Sequence, residues 1–117
     1  MTPTKIISVI ETYEFLLQAK GVPKKRCDES RKFSELTKDE LLAHAHFLCD
    51  GVKEYANDPA KLRKTGSHLT AVQMCLSFAG WFTLGDLMEH NRPRPEPIAK
   101  QQFIPGITNF MEPSGAT

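Results

Sequence analysis

Residues 67–90 read SHLTAVQMCLSFAGWFTLGDLMEH, and this stretch decides the fold of the chain. It holds the only Trp and two of the four Met, and no Asp, Glu, Lys or Arg occurs in residues 65–85. When its side chains are spaced about 100° apart on a helix, apolar residues cover three sides. The remaining polar strip consists of Thr70, Gln73 and Ser77. A helix that is apolar nearly all round must be covered nearly all round.

The N-terminal segment has the period of an amphipathic helix. Thr2 or Thr4 can cap it, and the Gly-Val-Pro sequence at residues 21–23 should end it. Its apolar residues share one face and are Ile6, Val9, Ile10, Tyr13, Leu16 and Leu17. Phe15 falls on the polar side. The pattern predicts a first helix over about residues 4–20.

A Thr-x-x-Glu capping box, formed by Thr37 and Glu40, opens a second periodic run. The run predicts a helix over about residues 38–56, with Phe47 near the middle of its polar face. Asp58 can cap a short turn that Gly66 closes.

Ser67 can then cap a third helix. Beyond His90, residues 92–97 alternate proline with charge and predict an extended backbone. The tail is nevertheless rich in apolar residues, so we expect part of it to pack on its own domain or on a partner. The prediction is an all-α helical domain in residues 1–91, followed by a partly packed or flexible Pro-rich tail in residues 92–117. The domain is a small bundle of three long helices, over about residues 4–20, 38–56 and 67–90, with short helical turns between them.

Composition limits the classes of function. The 15 basic and 14 acidic side chains leave a net charge of +1, so no overall field attracts nucleic acid or anionic lipid. Three cysteines, an odd number at wide spacing, indicate reduced thiols and a cytoplasmic protein. Residues 67–90 are too rich in polar side chains for a typical membrane helix, so we expect no membrane association.

Metal binding and catalysis have little support in the sequence. His44 and His46 point about 160° apart on a helix and cannot chelate one ion together. His46 and Cys49 have workable spacing but would need two further ligands. The i, i+4 pairs of Glu40 with His44 and of Asp86 with His90 could orient a base, although helices produce such pairs by chance. We predict no metal, no cofactor and no catalytic residue, and keep a small enzyme of unknown reaction as a second alternative.

Basic side chains concentrate in two connecting segments. If these segments meet in space, they would form a patch that contacts nucleic-acid phosphates without reading sequence. The first alternative is therefore a regulator or accessory protein that uses Lys24, Lys25, Arg26, Arg31, Lys32, Lys61, Arg63 and Lys64.

Two amphipathic helices cannot enclose a third helix that is apolar all round. The missing cover must come from the tail, from a short helix in residues 28–36, or from a second copy of the chain. We therefore expect a non-enzymatic protein that works by contact with a second copy or with another protein, as a homodimer or with a protein partner. The candidate interface residues are Phe15, Phe47, Met74, Trp81, Leu84, Met88, Phe103 and Phe110.

Overall fold

The computed structural model describes residues 1–93, and these residues contain helices but no strand. The four α-helices are α1 (Pro3–Ala19), α2 (Lys38–Ala56), α3 (Leu62–Phe78) and α4 (Leu84–Asn91). Short 3₁₀ turns at Phe33–Glu35 and Pro59–Lys61 precede α2 and α3. The predicted all-α class is confirmed. The predictions for residues 94–117, including Phe103 and Phe110, lie outside the described residues.

Local signals at its two ends set the length of α1. The Thr2 hydroxyl accepts a hydrogen bond of 3.1 Å from the Lys5 N–H, and Pro3 occupies the first helical position. At the other end Gly21 has φ +72°, and the Val22 N–H donates back to the Leu17 carbonyl at 3.0 Å. The helix therefore ends within a residue of its predicted position.

The predicted capping box starts α2. The Glu40 N–H donates to the Thr37 hydroxyl at 3.1 Å, and the Thr37 N–H donates to the Glu40 carboxylate at 2.8 Å. From this start α2 packs against α1 on one side and, more extensively, against α3 on the other. It is the central element of the fold.

The predicted start of the third helix, at Ser67, is wrong. Asp58 caps the 3₁₀ turn, as expected, by accepting a hydrogen bond of 3.0 Å from the Ala60 N–H. The turn then continues directly into α3, which begins at Leu62, because Gly66 adopts a helical conformation instead of closing the turn. Ser67 therefore lies inside the helix and does not cap it.

The predicted continuous helix over residues 67–90 is also wrong, because the chain breaks after Phe78. Gly80 adopts φ +88°, and the Trp81 N–H donates to the Leu76 carbonyl at 2.9 Å, which closes α3 with a glycine C-cap. A second capping box then opens α4, in which Thr83 and Asp86 exchange hydrogen bonds of 3.0 and 3.1 Å. The apolar stretch thus forms two helices.

The break changes how the apolar stretch is covered. Phe82 lies in the connection between α3 and α4 and is buried, and Leu87 of α4 is buried as well. Both join one core cluster with residues from α1, α2 and α3. Val22 and Cys27, from the connection after α1, pack against the same cluster. In residues 1–93 no helix has the length and apolarity that a membrane crossing requires.

Candidate functional site

Within residues 1–93, four exposed apolar side chains lie in the second half of α3 and on α4. Phe78 is 59% exposed, Leu84 68%, Met88 56% and Met74 37%. Met74 and Phe78 are four residues apart on α3, and Leu84 and Met88 are four residues apart on α4, so each pair shares one side of its helix. We call these four residues the α3/α4 face.

Hydrogen bonds between two amide side chains link α3 to the end of α4. Gln73 Nε2 donates to the Asn91 side-chain oxygen at 2.8 Å, and Asn91 Nδ2 donates back to Gln73 at 3.2 Å. In the sequence, Gln73 directly precedes Met74, and Asn91 follows Met88 by three residues. The opposite ends of the two helices are joined through the turn between Phe78 and Leu84.

Three other predicted interface residues occupy different surroundings. Trp81 is half-buried and packs against the core, with its ring 6.4 Å from that of Phe82. Phe15 is 66% exposed on α1. Phe47 stacks on His44 of its own helix, with ring centroids 6.1 Å apart.

A buried polar network joins α1, α3 and α4. The Tyr13 hydroxyl lies 2.7 Å from His90 Nδ1 and accepts a hydrogen bond of 3.0 Å from Gln73 Nε2. Because Gln73 donates to the Tyr13 oxygen, the hydroxyl hydrogen is available to His90. Burial raises the pKa of Tyr13 well above its ordinary value, which keeps this hydroxyl protonated. Sequence reasoning missed the network, although an isolated Gln in a charge-free run was a signal for it.

The structure shows where the proposed metal and catalytic residues lie. His46 is buried, and its Nδ1 donates to the Val22 carbonyl at 2.8 Å, while the Cys49 thiol donates to the Ala45 carbonyl at 3.3 Å. Burial raises the pKa of Cys49 to about 12, so its nucleophilic thiolate is scarce at neutral pH. In residues 1–93 no three His, Cys, Asp or Glu side chains are grouped so that they could hold a metal ion.

The acid–histidine pairs have structural partners of their own. Glu40 accepts hydrogen bonds from the Thr37 N–H and from Arg31, and these hold the pKa of its carboxyl group below the ordinary value. Asp86 caps α4. His44 Nδ1 accepts a hydrogen bond of 3.2 Å from the Cys27 N–H.

The predicted basic residues contact α2 at several positions along its length. Arg31 pairs with Glu40 at 2.8 Å in the first turn of α2. Lys61 and Lys64 lie over the Tyr55 ring near the other end of the helix, at 5.4 and 5.1 Å from its centroid. Fifteen residues of helix between Glu40 and Tyr55 span roughly 22 Å. Arg31 therefore lies far from Lys61 and Lys64. Lys24, which pairs with Asp50, is closer to them, because Asp50 precedes Tyr55 by roughly 7.5 Å of helix.

Ion pairs also neutralise part of the first basic group. Lys24 pairs with Asp50 at 3.1 Å, and Arg26 pairs with Glu29. By contrast, Lys61, Arg63 and Lys64 form no ion pair within residues 1–93. The second group is thus the more available of the two for an external anion.

Comparison with known proteins gives no relative of this chain. No protein-family model matches it, and neither a curated protein nor a solved structure is significantly similar to it.

Proposed function

We propose that this is a non-enzymatic cytoplasmic protein that acts by protein–protein contact, as a homodimer joined through the α3/α4 face. The observation that carries the proposal is the exposure of Met74, Phe78, Leu84 and Met88 on two consecutive helices that the Gln73–Asn91 hydrogen bonds link. Full burial of one such side chain is worth roughly 1.5–3 kcal/mol, so covering four of them offers a substantial driving force. Methionine and phenylalanine are also enriched in protein interfaces.

The distribution of charge in the chain favours self-association. The net charge of +1 means that two copies repel each other only weakly at long range. Residues 65–85, which contain Met74, Phe78 and Leu84, contribute no charged side chain of their own to such a contact.

Sedimentation velocity of the full chain between about 1 and 100 µM tests the proposal. We expect a dimer at the upper concentrations, and we expect the double variant Leu84→Glu with Met88→Gln to be a monomer. Leu84 is the first residue of α4, where an acidic side chain suits the helix dipole, so the variant should fold.

The matched control is Leu62→Glu. Leu62 is 52% exposed at the start of α3, far along the helix from Met74, and its replacement should leave the dimer intact. A wild-type chain that is monomeric at 100 µM would contradict the homodimer. A double variant that still dimerises would contradict the assignment of the face.

A second candidate function rests on the basic group near the start of α3. Lys61 and Lys64 lie over the Tyr55 ring and form no ion pair within residues 1–93, and a cationic surface with an aromatic ring can bind nucleic-acid phosphates and bases. Binding of a DNA duplex that weakens steeply with salt would support this function. Loss of that binding in Lys61→Gln with Lys64→Gln, but not in Lys24→Gln, would assign it to this group.

A further inference from the structure

A surface cleft of about 400 Å³ lies between the connection that follows α1 and the first turns of α2. One wall comes from the connection and the other from α2. The lining residues are Lys20, Gly21, Val22, Pro23, Lys25, Asp39, Glu40, Leu42 and Ala43. This volume suits a small molecule.

Backbone hydrogen bonds hold the two walls together. The Val22 carbonyl accepts a hydrogen bond of 2.8 Å from His46 Nδ1, and the Lys25 N–H donates to the Ala43 carbonyl at 3.1 Å. Val22 is also tied to the end of α1 through its N–H. The cleft is therefore preformed, which lowers the entropic cost of binding.

The cleft carries opposite charges on an apolar floor. Glu40 is occupied by Arg31 and by the Thr37 N–H. Lys25 and Asp39, in contrast, form no ion pair within residues 1–93. The Lys25 backbone is bonded to Ala43, and Asp39 lies one helical turn before Ala43, so a cation and an anion flank the apolar residues Val22, Leu42 and Ala43.

His46 lies next to the cleft but is not one of its lining residues. It follows Leu42 and Ala43 by one turn and is bonded to Val22, so it adjoins three lining residues of the cleft. Its Nε2 atom is buried and has no hydrogen-bond partner.

We infer that this cleft binds a small zwitterionic molecule with an apolar body, the class that includes apolar amino acids and their dipeptides. Lys25 receives the anionic group, Asp39 receives the cationic group, and Val22, Leu42 and Ala43 contact the apolar body. The site shares no residue with the α3/α4 face, so the inference can be tested independently of the proposed dimer.

Titration of the ¹⁵N-labelled full chain with L-leucine and with the dipeptide Leu-Leu, followed by NMR, tests the inference. We expect saturable shifts of the Val22, Lys25 and Ala43 amides and of the His46 ring. Isocaproate lacks the ammonium group and isoamylamine lacks the carboxylate, so each should bind about tenfold more weakly.

Two variants test whether Lys25 and Asp39 receive the charged groups of the ligand. Lys25→Gln and Asp39→Asn should each weaken binding about tenfold, while Lys24→Gln, beside the cleft and paired with Asp50, should bind like the wild type. The Lys25 contact with Ala43 is made by the backbone and survives the substitution. The inference is overturned if neither probe gives saturable shifts up to tens of millimolar. It is equally overturned if the single-charge probes bind as well as leucine, or if both variants titrate like the wild type.

Discussion

The Tyr13 hydroxyl and Nδ1 of His90 lie 2.7 Å apart although 77 residues separate them in the sequence. Both side chains are almost completely buried, and Phe82 packs against both rings, with centroids 5.8 Å from Tyr13 and 4.7 Å from His90. The contact fastens α4 to α1 and so determines how the last described helix lies on the bundle. A buried hydrogen bond of this kind is expected to contribute measurably to stability.

Tyr13→Phe should lower the free energy of unfolding by about 1–3 kcal/mol, because it deprives His90 Nδ1 and Gln73 Nε2 of a buried partner. Urea unfolding followed by circular dichroism measures the loss. The control is Tyr55→Phe, whose hydroxyl has no hydrogen bond within residues 1–93 and whose removal should cost less than about 0.5 kcal/mol. Equal losses in the two variants would contradict the role of the network.

Gly80→Ala should destabilise the fold by about 1–2 kcal/mol, because φ +88° is unfavourable for a residue with a Cβ atom. The surroundings leave room for the methyl group, whose nearest neighbour would be Lys38 Nζ at 4.0 Å, so the cost comes from the backbone. Gly66→Ala is the matched control. Gly66 lies inside α3 in open space, and its replacement should stabilise the helix by about 0.5–1 kcal/mol. Thermal unfolding of both variants should shift in opposite directions.

The ion pair between Glu14 of α1 and Lys53 of α2 should be worth more than a typical surface pair. Its atoms are 2.8 Å apart, and the Glu14 side chain is only 10% exposed, whereas that of Lys53 is 36% exposed. A double-mutant cycle with Glu14→Gln and Lys53→Met should give a coupling free energy of about 1 kcal/mol. The same cycle on Lys24 and Asp50, which are 40% and 59% exposed, should give about 0–0.5 kcal/mol. A larger coupling for the exposed pair would be the contrary result.

His44 should make stability depend on pH on the acid side of neutrality. Burial and then the nearby Arg26 lower the pKa of His44 below its ordinary value, and Nδ1 must stay unprotonated to accept the Cys27 N–H. The unfolded chain therefore binds more protons than the folded chain between the two pKa values. The stabilisation is complete above the unfolded pKa and is lost as the pH falls from about 6.5 towards the folded value.

His44→Asn tests this pH dependence, because its amide oxygen can replace Nδ1 as an acceptor but does not titrate. As the pH falls from 7.5 to 5.5, the free energy of unfolding of the wild type should decrease more than that of the variant. The advantage of the wild type should therefore shrink, or the variant should become the more stable protein. Parallel stability profiles of the two proteins over this range would show that His44 is not responsible.

The three thiols should react at very different rates. Burial raises the pKa of Cys49 to about 12 and that of Cys75 to about 11, so both thiols are protonated and inaccessible at pH 7.5. Cys27 is half-buried. Labelling of the native chain with iodoacetamide, followed by peptide mass spectrometry, should therefore modify Cys27 first and the other two only in denaturant. Rapid labelling of Cys49 in the native chain would contradict the described core.

Much of the fold could be predicted because its helix ends are determined by local chemistry. The capping box of Thr37 and Glu40 and the glycine stop at Gly21 act within a few residues, so their geometry can be anticipated without any tertiary contact. The same chemistry was present at Gly80 and at Thr83 with Asp86, but the uninterrupted apolar run favoured a continuous helix. Local stop signals prevailed over hydrophobic periodicity there, and this is why α4 folds back.

Part of the candidate site could also be predicted. Met74, Leu84 and Met88 were expected at an interface and are exposed on α3 and α4, whereas Phe78 was placed on another side of one long helix. The break after Phe78 changed the environment of this residue, since α4 no longer continues the axis of α3. The cleft beside Lys25 could not be predicted, because it is formed by a loop and a helix that tertiary contacts bring together, such as those of His46 with Val22 and of Lys25 with Ala43.

The sequence by itself determined the helical class, the ends of α1, the start of α2 and the core face of α1, since capping and amphipathic periodicity act over one or two helical turns. Only the tertiary structure decided which charges remain unpaired, which apolar side chains stay exposed, and which buried polar groups find each other across the chain. These outcomes depend on the relative placement of elements such as α1 and α4, whose buried contact joins residues 77 positions apart. No local pattern near Tyr13 or near His90 specifies that these two side chains meet.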